Sequence, residues 1–288
     1  MKLSVSVTNY SWPDSPIRDE LASLTERLDH TAVDTLWVAD HLLQANPSSS
    51  LDEPMLEAYT TLGFLAARST RLRLGTMVSA ATFRAPALLI KAVTTLDVLS
   101  GGRAWLGIGA GYNDDEARAM GLHLPRTAER FDWLAELLQL ARQMWDGDNS
   151  AFHGNHLRLE HPVGSPAPVS ARPPVLIGGT GKRRTLRLVA QYADACNLFD
   201  IPDGGQTLKR KLVVLKQHCA ELGRPFGEIE RTVSTAFDND SVESLVDRCG
   251  RLRALGAQHV VLITRGRPWT SRDCDIVVGA AGRLVGLD

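Results

Sequence analysis

The chain of 288 residues is 44% apolar and 23% charged, with 32 Lys and Arg against 33 Asp and Glu. That mixture supports one large folded core and excludes wholesale disorder. The near-neutral balance excludes a generic electrostatic pull on nucleic acid or anionic membrane, and no window approaches the roughly 18 uninterrupted apolar residues of a membrane span. The opening Met1-Lys2-Leu3-Ser4-Val5-Ser6-Val7-Thr8 alternates like a strand and lacks the long apolar stretch of a signal peptide. Cys196, Cys219, Cys249 and Cys274 lie far apart with no Cys-x-x-Cys pair, which points away from a disulfide framework or zinc site. The expectation is a soluble cytoplasmic protein with reduced thiols.

In chain order, short Val/Leu/Ile-rich runs predict strands over residues 3–8, 35–39, 72–78, 104–109, 175–178, 195–199, 232–235 and 260–264. Amphipathic segments predict helices over 17–30, 56–69, 86–99, 127–145, 182–192, 206–222 and 242–255, with a weaker one over 273–284. Eight alternating units imply a parallel sheet, and at this length a (β/α)8 TIM barrel, the α/β class, as a single domain over 1–288. A doubly wound sheet is disfavoured because no Gly-x-Gly-x-x-Gly follows the first strand. A Pro-rich stretch with Pro162, Pro166, Pro168, Pro173 and Pro174 marks an insertion at about 147–173.

Barrel enzymes carry their chemistry on the loops after strands, which sorts the candidates. On that face fall Asp40 and His41, residues 77–82, Gly109 to Asn113, Gly178 to Gly181, and the 200–205 loop. The run Val175-Leu176-Ile177-Gly178-Gly179-Thr180-Gly181-Lys182 passes from strand through glycines into a helix, a pattern that cradles phosphate on backbone N–H groups. Lys182 and Arg183 then either add charge to that site or form a solvated first turn. His41 either handles a proton at a ligand or is a loop histidine capped by Asp40, and Asp40 either faces a ligand or caps the chain. The grouped His153, His156 and His161 sit on the opposite, structural face without carboxylates at ligand spacing, and no metal site is expected. A Gly-x-Ser-x-Gly elbow is absent, which argues against a serine hydrolase.

Several segments together resemble the luciferase-like monooxygenase superfamily, and within it the oxidoreductases that use the deazaflavin coenzyme F420. They are Leu36-Trp37-Val38-Ala39-Asp40-His41, Leu74-Gly75-Thr76-Met77-Val78-Ser79-Ala80-Ala81-Thr82-Phe83-Arg84-Ala85-Pro86-Ala87, and Thr95 to Arg103 running into Gly107-Ile108-Gly109-Ala110-Gly111-Tyr112-Asn113. Glu129-Arg130-Phe131 and the 175–181 run continue the likeness. The resemblance implies a ring cofactor in the C-terminal mouth, F420 or alternatively FMN, against a non-prolyl cis peptide at Met77–Val78. It also implies that Asp40, His41, Ser79 and Ala80 line the ring, that Gly109, Gly111, Tyr112 and Asn113 form the other wall, and that Ile177, Gly178, Gly179 and Thr180 hold the side chain and phosphate. His41 and Tyr112 are the implied catalytic pair, and a homodimer through helices beside the early strands is implied as well.

The sequence departs from the sugar-phosphate dehydrogenases of that group, which carry a glutamate where Tyr112 stands and an aromatic in the loop that here reads Leu42-Leu43-Gln44-Ala45. The expected activity is hydride transfer between F420 and another small organic molecule, with an FMN-dependent monooxygenase and a non-catalytic flavin carrier as alternatives. The loops 44–54, 122–126 and 265–271 carry no legible substrate code, and Arg267 and Trp269 either close over the mouth or lie on the surface.

Overall fold

Strand and helix alternate as the hydrophobic periods demand, and the computed structural model describes residues 1–285 apart from 48, 170 and 239. The first half runs β1 (Lys2–Val7), α1 (Ile17–Asp29), β2 (Thr35–Val38), α2 (Ala58–Arg68), β3 (Arg73–Thr76), β4 (Ser79–Ala80), α3 (Pro86–Ser100) and β5 (Ala104–Gly109). Then come α4 (Asp114–Met120), α5 (Thr127–Trp145) and a hairpin of β6 (Phe152–His153) and β7 (Arg158–Leu159). The second half runs β8 (Val175–Gly178), α6 (Thr185–Tyr192), β9 (Ala195–Phe199), α7 (Gln206–Glu221), β10 (Glu230–Ala236), α8 (Val242–Ala254), β11 (His259–Ile263) and α9 (Ser271–Leu284). Strands pair in parallel in the order β1, β2, β3, β5, β8, β9, β10, β11, and β11 returns to β1. The sheet is therefore a closed (β/α)8 barrel, with helices packed around it.

The expected third strand is broken. Leu74 and Gly75 pair with Ala104 and Trp105, whereas Ser79 and Ala80 pair with Ile108 and Gly109. The β3–β4 side thus carries one residue more than β5, a bulge, and the Met77–Val78 peptide within it is cis. Gly107 is obligatory opposite the bend, because a Cβ there would lie 1.8 Å from the carbonyl oxygen of Thr76.

Two tryptophans decide which end of the barrel is open. Trp37 and Trp105 meet at 5.7 Å between ring centroids inside the lower barrel and pack with Leu176, Ala195 and Val261. The Trp37 indole N–H is satisfied by Ser4 Oγ at 3.1 Å, so burying it leaves no unmet donor. Arg73 covers the Trp105 ring from below at 4.1 Å. With the floor plugged, the space left inside the sheet opens at the C-terminal ends of the strands.

Two helix starts and one extra helix depart from the sequence reading. The helix expected from residue 182 starts at Thr185, with residues 182–184 forming a turn ahead of it. The last helix starts at Ser271, ahead of residue 273, because Thr270 and Asp273 form a reciprocal capping box. A short helix α4 was not expected; its first turn, Asp114, Asp115 and Glu116, complements the positive end of the helix dipole. In the 147–173 stretch, the β6–β7 hairpin is anchored by the Glu136 carboxylate, which accepts the amides of Asn155, His156 and Leu157. No helix among the described residues is long and apolar enough to cross a membrane.

Candidate active site

The strand ends of the open mouth surround a cavity of about 760 Å³. That volume lies in the range of sites for cofactors and small ligands. Lining it are Asp40 and His41 from the loop after β2, Met77 and Val78 from the cis bend, and Ser79 and Ala80 from β4. Gly109, Gly111, Tyr112 and Asn113 line it from the end of β5, and Gly178, Gly179 and Thr180 from the end of β8. Segments more than a hundred residues apart in sequence are thereby brought to one space. Ile177 is the exception: its side chain is fully buried in the hydrophobic core and is not among the cavity's lining residues. The alternation of a strand explains this, since Ile177 and its neighbour Gly178 face opposite ways.

Asp40 does not cap the chain. It is buried, and its carboxylate accepts both terminal nitrogens of Arg84 and the hydroxyl of Ser79. Arg84 also reaches Glu57, and its guanidinium stacks on the Tyr59 ring at 4.9 Å. The Tyr59 hydroxyl lies 3.1 Å from Ser79 Oγ, with its pKa pushed well above the ordinary phenol value by burial and by the Asp40 charge. This network locks Ser79, and with it the cis bend, against the mouth. Arg84, Tyr59 and Glu57 were not singled out in the sequence as site residues.

Glu116, in the first turn of α4, is likewise unforeseen. The spacing Asn113-x-x-Glu116 resembles a capping box, and Asn113 Oδ1 does accept the Glu116 amide at 3.1 Å. The Glu116 side chain, however, turns away from its own helix. One carboxylate oxygen accepts the amides of Leu42 at 2.6 Å and Leu43 at 3.3 Å, and the other lies 2.7 Å from His41 Nδ1. Burial alone would raise the Glu116 pKa, but hydrogen bonds from His41 and the two amides hold it below the ordinary glutamate value. On the far side of the imidazole, His41 Nε2 is 3.4 Å from the Tyr112 hydroxyl. Desolvation and the Glu116 charge raise the Tyr112 phenol, which stays protonated at neutral pH.

The glycine loop after β8 is held from outside the barrel. Lys211 of α7 donates to the Thr180 carbonyl, and His218 Nε2 lies 2.9 Å from the Lys182 carbonyl. Lys182 and Arg183 are exposed, and the helix starts beyond them. Thr264 also lines the cavity, but its hydroxyl is itself buried, with no hydrogen-bond partner among the described residues. Arg267 and Trp269 do not line the mouth. Trp269 is 2% exposed, stacks near Phe237 and donates to the Ser6 carbonyl at 2.9 Å, while Arg267 pairs with Asp273. His161 Nδ1 lies 3.0 Å from the Asn149 carbonyl, and among the described residues no three His, Cys, Asp or Glu side chains form a metal cluster.

Residues 1–244 match the family model for luciferase-like monooxygenases. The chain belongs to that family. Among curated luciferase-like relatives, an F420-dependent glucose-6-phosphate dehydrogenase of Kineococcus radiotolerans is 31% identical over 78% of this chain and 66% of its own length. A pyrimidine monooxygenase of Allorhizobium ampelinum is 28% identical over 71% of this chain and 56% of its own length. The matches thus span just under two thirds, or less, of those relatives. The fold superposes on an F420-dependent secondary alcohol dehydrogenase in complex with an F420–acetone adduct with a TM-score of 0.81, at 17% identity over 98% of this chain and all of that one. It superposes on the monooxygenase RslO1 from Streptomyces bottropensis with a TM-score of 0.82, at 16% identity over the whole of both chains. At those identities the superpositions establish the barrel.

Proposed function

We propose that the protein is an oxidoreductase that passes hydride between coenzyme F420 and a small organic molecule. The observation that carries this reading is that Met77, Val78, His41, Tyr112 and the Gly178–Gly179–Thr180 loop, from four separate strand ends, line one cavity. The residues fit such a group. The cavity is wide enough for a fused ring with a side chain, and its glycine walls leave backbone within reach. The bend, Ser79, Ala80, Gly109 and Gly111 would hold the ring, and Asp40 would position Ser79. Gly178, Gly179, Thr180 and Asn113 would hold the side chain and its phosphate. F420 supplies, when bound, a ring carbon that takes up or gives a hydride. The protein's own part is to orient the substrate and to move a proton at His41 Nε2 and the Tyr112 hydroxyl.

The substrate of this reading is uncharged and largely apolar, not a sugar phosphate. Met55, Phe83, Phe131, Phe199 and Ile263 face the space, and Arg265 is the one Lys or Arg among its described lining residues. FMN is the competing cofactor, favoured by a type II Baeyer–Villiger monooxygenase of the same fold whose structure is a complex with FMN. Titration of the purified protein with F420 and separately with FMN, followed by fluorescence, decides between them. Tight F420 binding supports hydride transfer, preference for FMN moves the assignment to oxygen chemistry, and binding of neither overturns both. A homodimer is part of the same proposal. Leu88 and Leu99 project from one face of α3 at 60% and 72% exposure, and a second copy would cover them. Sedimentation of the natural chain against L88E/L99E tests it, and two monomeric samples would overturn it.

A further inference from the structure

We infer that Glu116 is a positioning residue that fixes the tautomer of His41, so that Nδ1 carries the proton and Nε2 faces the cavity as a bare acceptor. The inference deepens the proposed function and rests on it for its catalytic meaning, while its structural content stands alone. The argument starts from what each group can do. A carboxylate only accepts hydrogen bonds, and neutral imidazole has one donor and one acceptor nitrogen. Glu116 is 2% exposed and held ionised, and its second oxygen lies 2.7 Å from His41 Nδ1. The proton of neutral His41 must then sit on Nδ1. Nε2 is left as an acceptor, and the Tyr112 hydroxyl, 3.4 Å away, donates to it.

The arrangement sets a direction for proton movement. When the substrate is an alcohol being oxidised, its carbinol hydride leaves to the two-electron carrier of the proposed function. Its O–H proton passes to Nε2, giving a carbonyl and an imidazolium whose charge faces Glu116. Reduction runs the same transfer backwards. A neutral His41 with its proton on Nε2 has no lone pair there to take the alcohol's proton, so oxidation would stall.

The anchoring of Glu116 makes a clean test. Its first oxygen is occupied by the Leu42 and Leu43 amides. In E116Q that oxygen stays an amide carbonyl on the same two donors, so the NH2 group is turned to His41 Nδ1. The imidazole must then accept at Nδ1 and carry its proton on Nε2. The experiment is ¹⁵N NMR of histidine-labelled protein, with the His41 signals assigned by their loss in H41N. We expect the Nδ1–H tautomer in the natural chain and Nε2–H in E116Q. With F420 and a turned-over alcohol or ketone, kcat should fall by about 10²–10⁴-fold while F420 affinity holds, as in the loss of a triad carboxylate. A purely structural Glu116 would alter stability without moving the tautomer. Nε2–H in the natural chain, or an unchanged tautomer in E116Q, overturns the inference. If E116Q does not fold, the natural chain's spectrum decides alone. If neither F420 nor FMN binds, the proposed function falls while the tautomer result is still read.

Discussion

The barrel holds two histidine–glutamate pairs of the same length, one at each end. His41 Nδ1 lies 2.7 Å from Glu116 at the mouth, and His259 Nδ1 lies 2.7 Å from Glu230 at the floor. Their outer nitrogens differ. His41 Nε2 looks into the cavity toward Tyr112, whereas His259 is fully buried and its Nε2 has no partner among the described residues. Lys2 stands 2.9 Å from Glu230, and a hollow of about 650 Å³ lined by Lys2, Trp105, Glu230 and Arg231 lies beside it, but His259 is not among the residues that line that hollow. The same contact serves proton chemistry where it faces a cavity and stability where it is closed in.

The comparison is broken most sharply by removing each imidazole. H41A should lower kcat by about 10²–10⁴-fold with little change in urea midpoint, while H259A should leave turnover intact and cost about 1–3 kcal/mol of stability. Equal kinetic effects from the two variants would erase the distinction. Next in size is R84M, which strands the buried Asp40 charge. Loss of such a partner costs about 3–5 kcal/mol, visible in chemical unfolding, and should also weaken cofactor binding because Ser79 loses its anchor. Unchanged stability would mean that the Arg84–Asp40 pair does not hold this part of the site together.

The acid limb of the stability curve sharpens the picture of the floor. Burial opposes the charge of Glu230, but His259 and then Lys2 pull its pKa down to about 2 from 4.5. A depressed carboxylate gives stability that is complete above the ordinary value and is lost as pH falls from about 4.5 through 2. At 1.36 kcal/mol per unit this amounts to about 3 kcal/mol. Thermal unfolding of E230Q should therefore converge on that of the natural chain as pH drops toward 2, and a constant gap would contradict it. The smallest effect is expected at Asp115, whose pair with Arg118 is exposed on both sides. D115A should leave both Tm and turnover unchanged, since such pairs contribute almost nothing in water.

Most of the site's backbone was legible in the sequence, and its side-chain wiring was not. Asp40, His41, the 77–80 segment, the Gly109 to Asn113 wall and the 178–180 loop sit in short, ordered motifs at strand ends, so they could be read in one dimension. Arg84, Tyr59 and Glu116 could not. Glu116 looks like an ordinary N3 glutamate of a capping box, and nothing local says that its carboxylate crosses to a loop about 75 residues earlier in the chain. The Ile177 side chain lies outside the cavity for the opposite reason, because the motif extends one residue into a strand whose alternation sends it into the core.

By itself the sequence determined the rhythm of eight strands and helices, the strand ends at which glycines, Asp40 and His41 gather, and the family to which the chain belongs. Local hydrophobic period and turn chemistry suffice for those. Only the tertiary structure decided which end of the barrel is plugged by Trp37 and Trp105, which carboxylate holds His41, and that Trp269 is buried beside β1 instead of closing the mouth. Each of those depends on side chains meeting across long loops, where packing and the need to satisfy buried polar groups choose the partner.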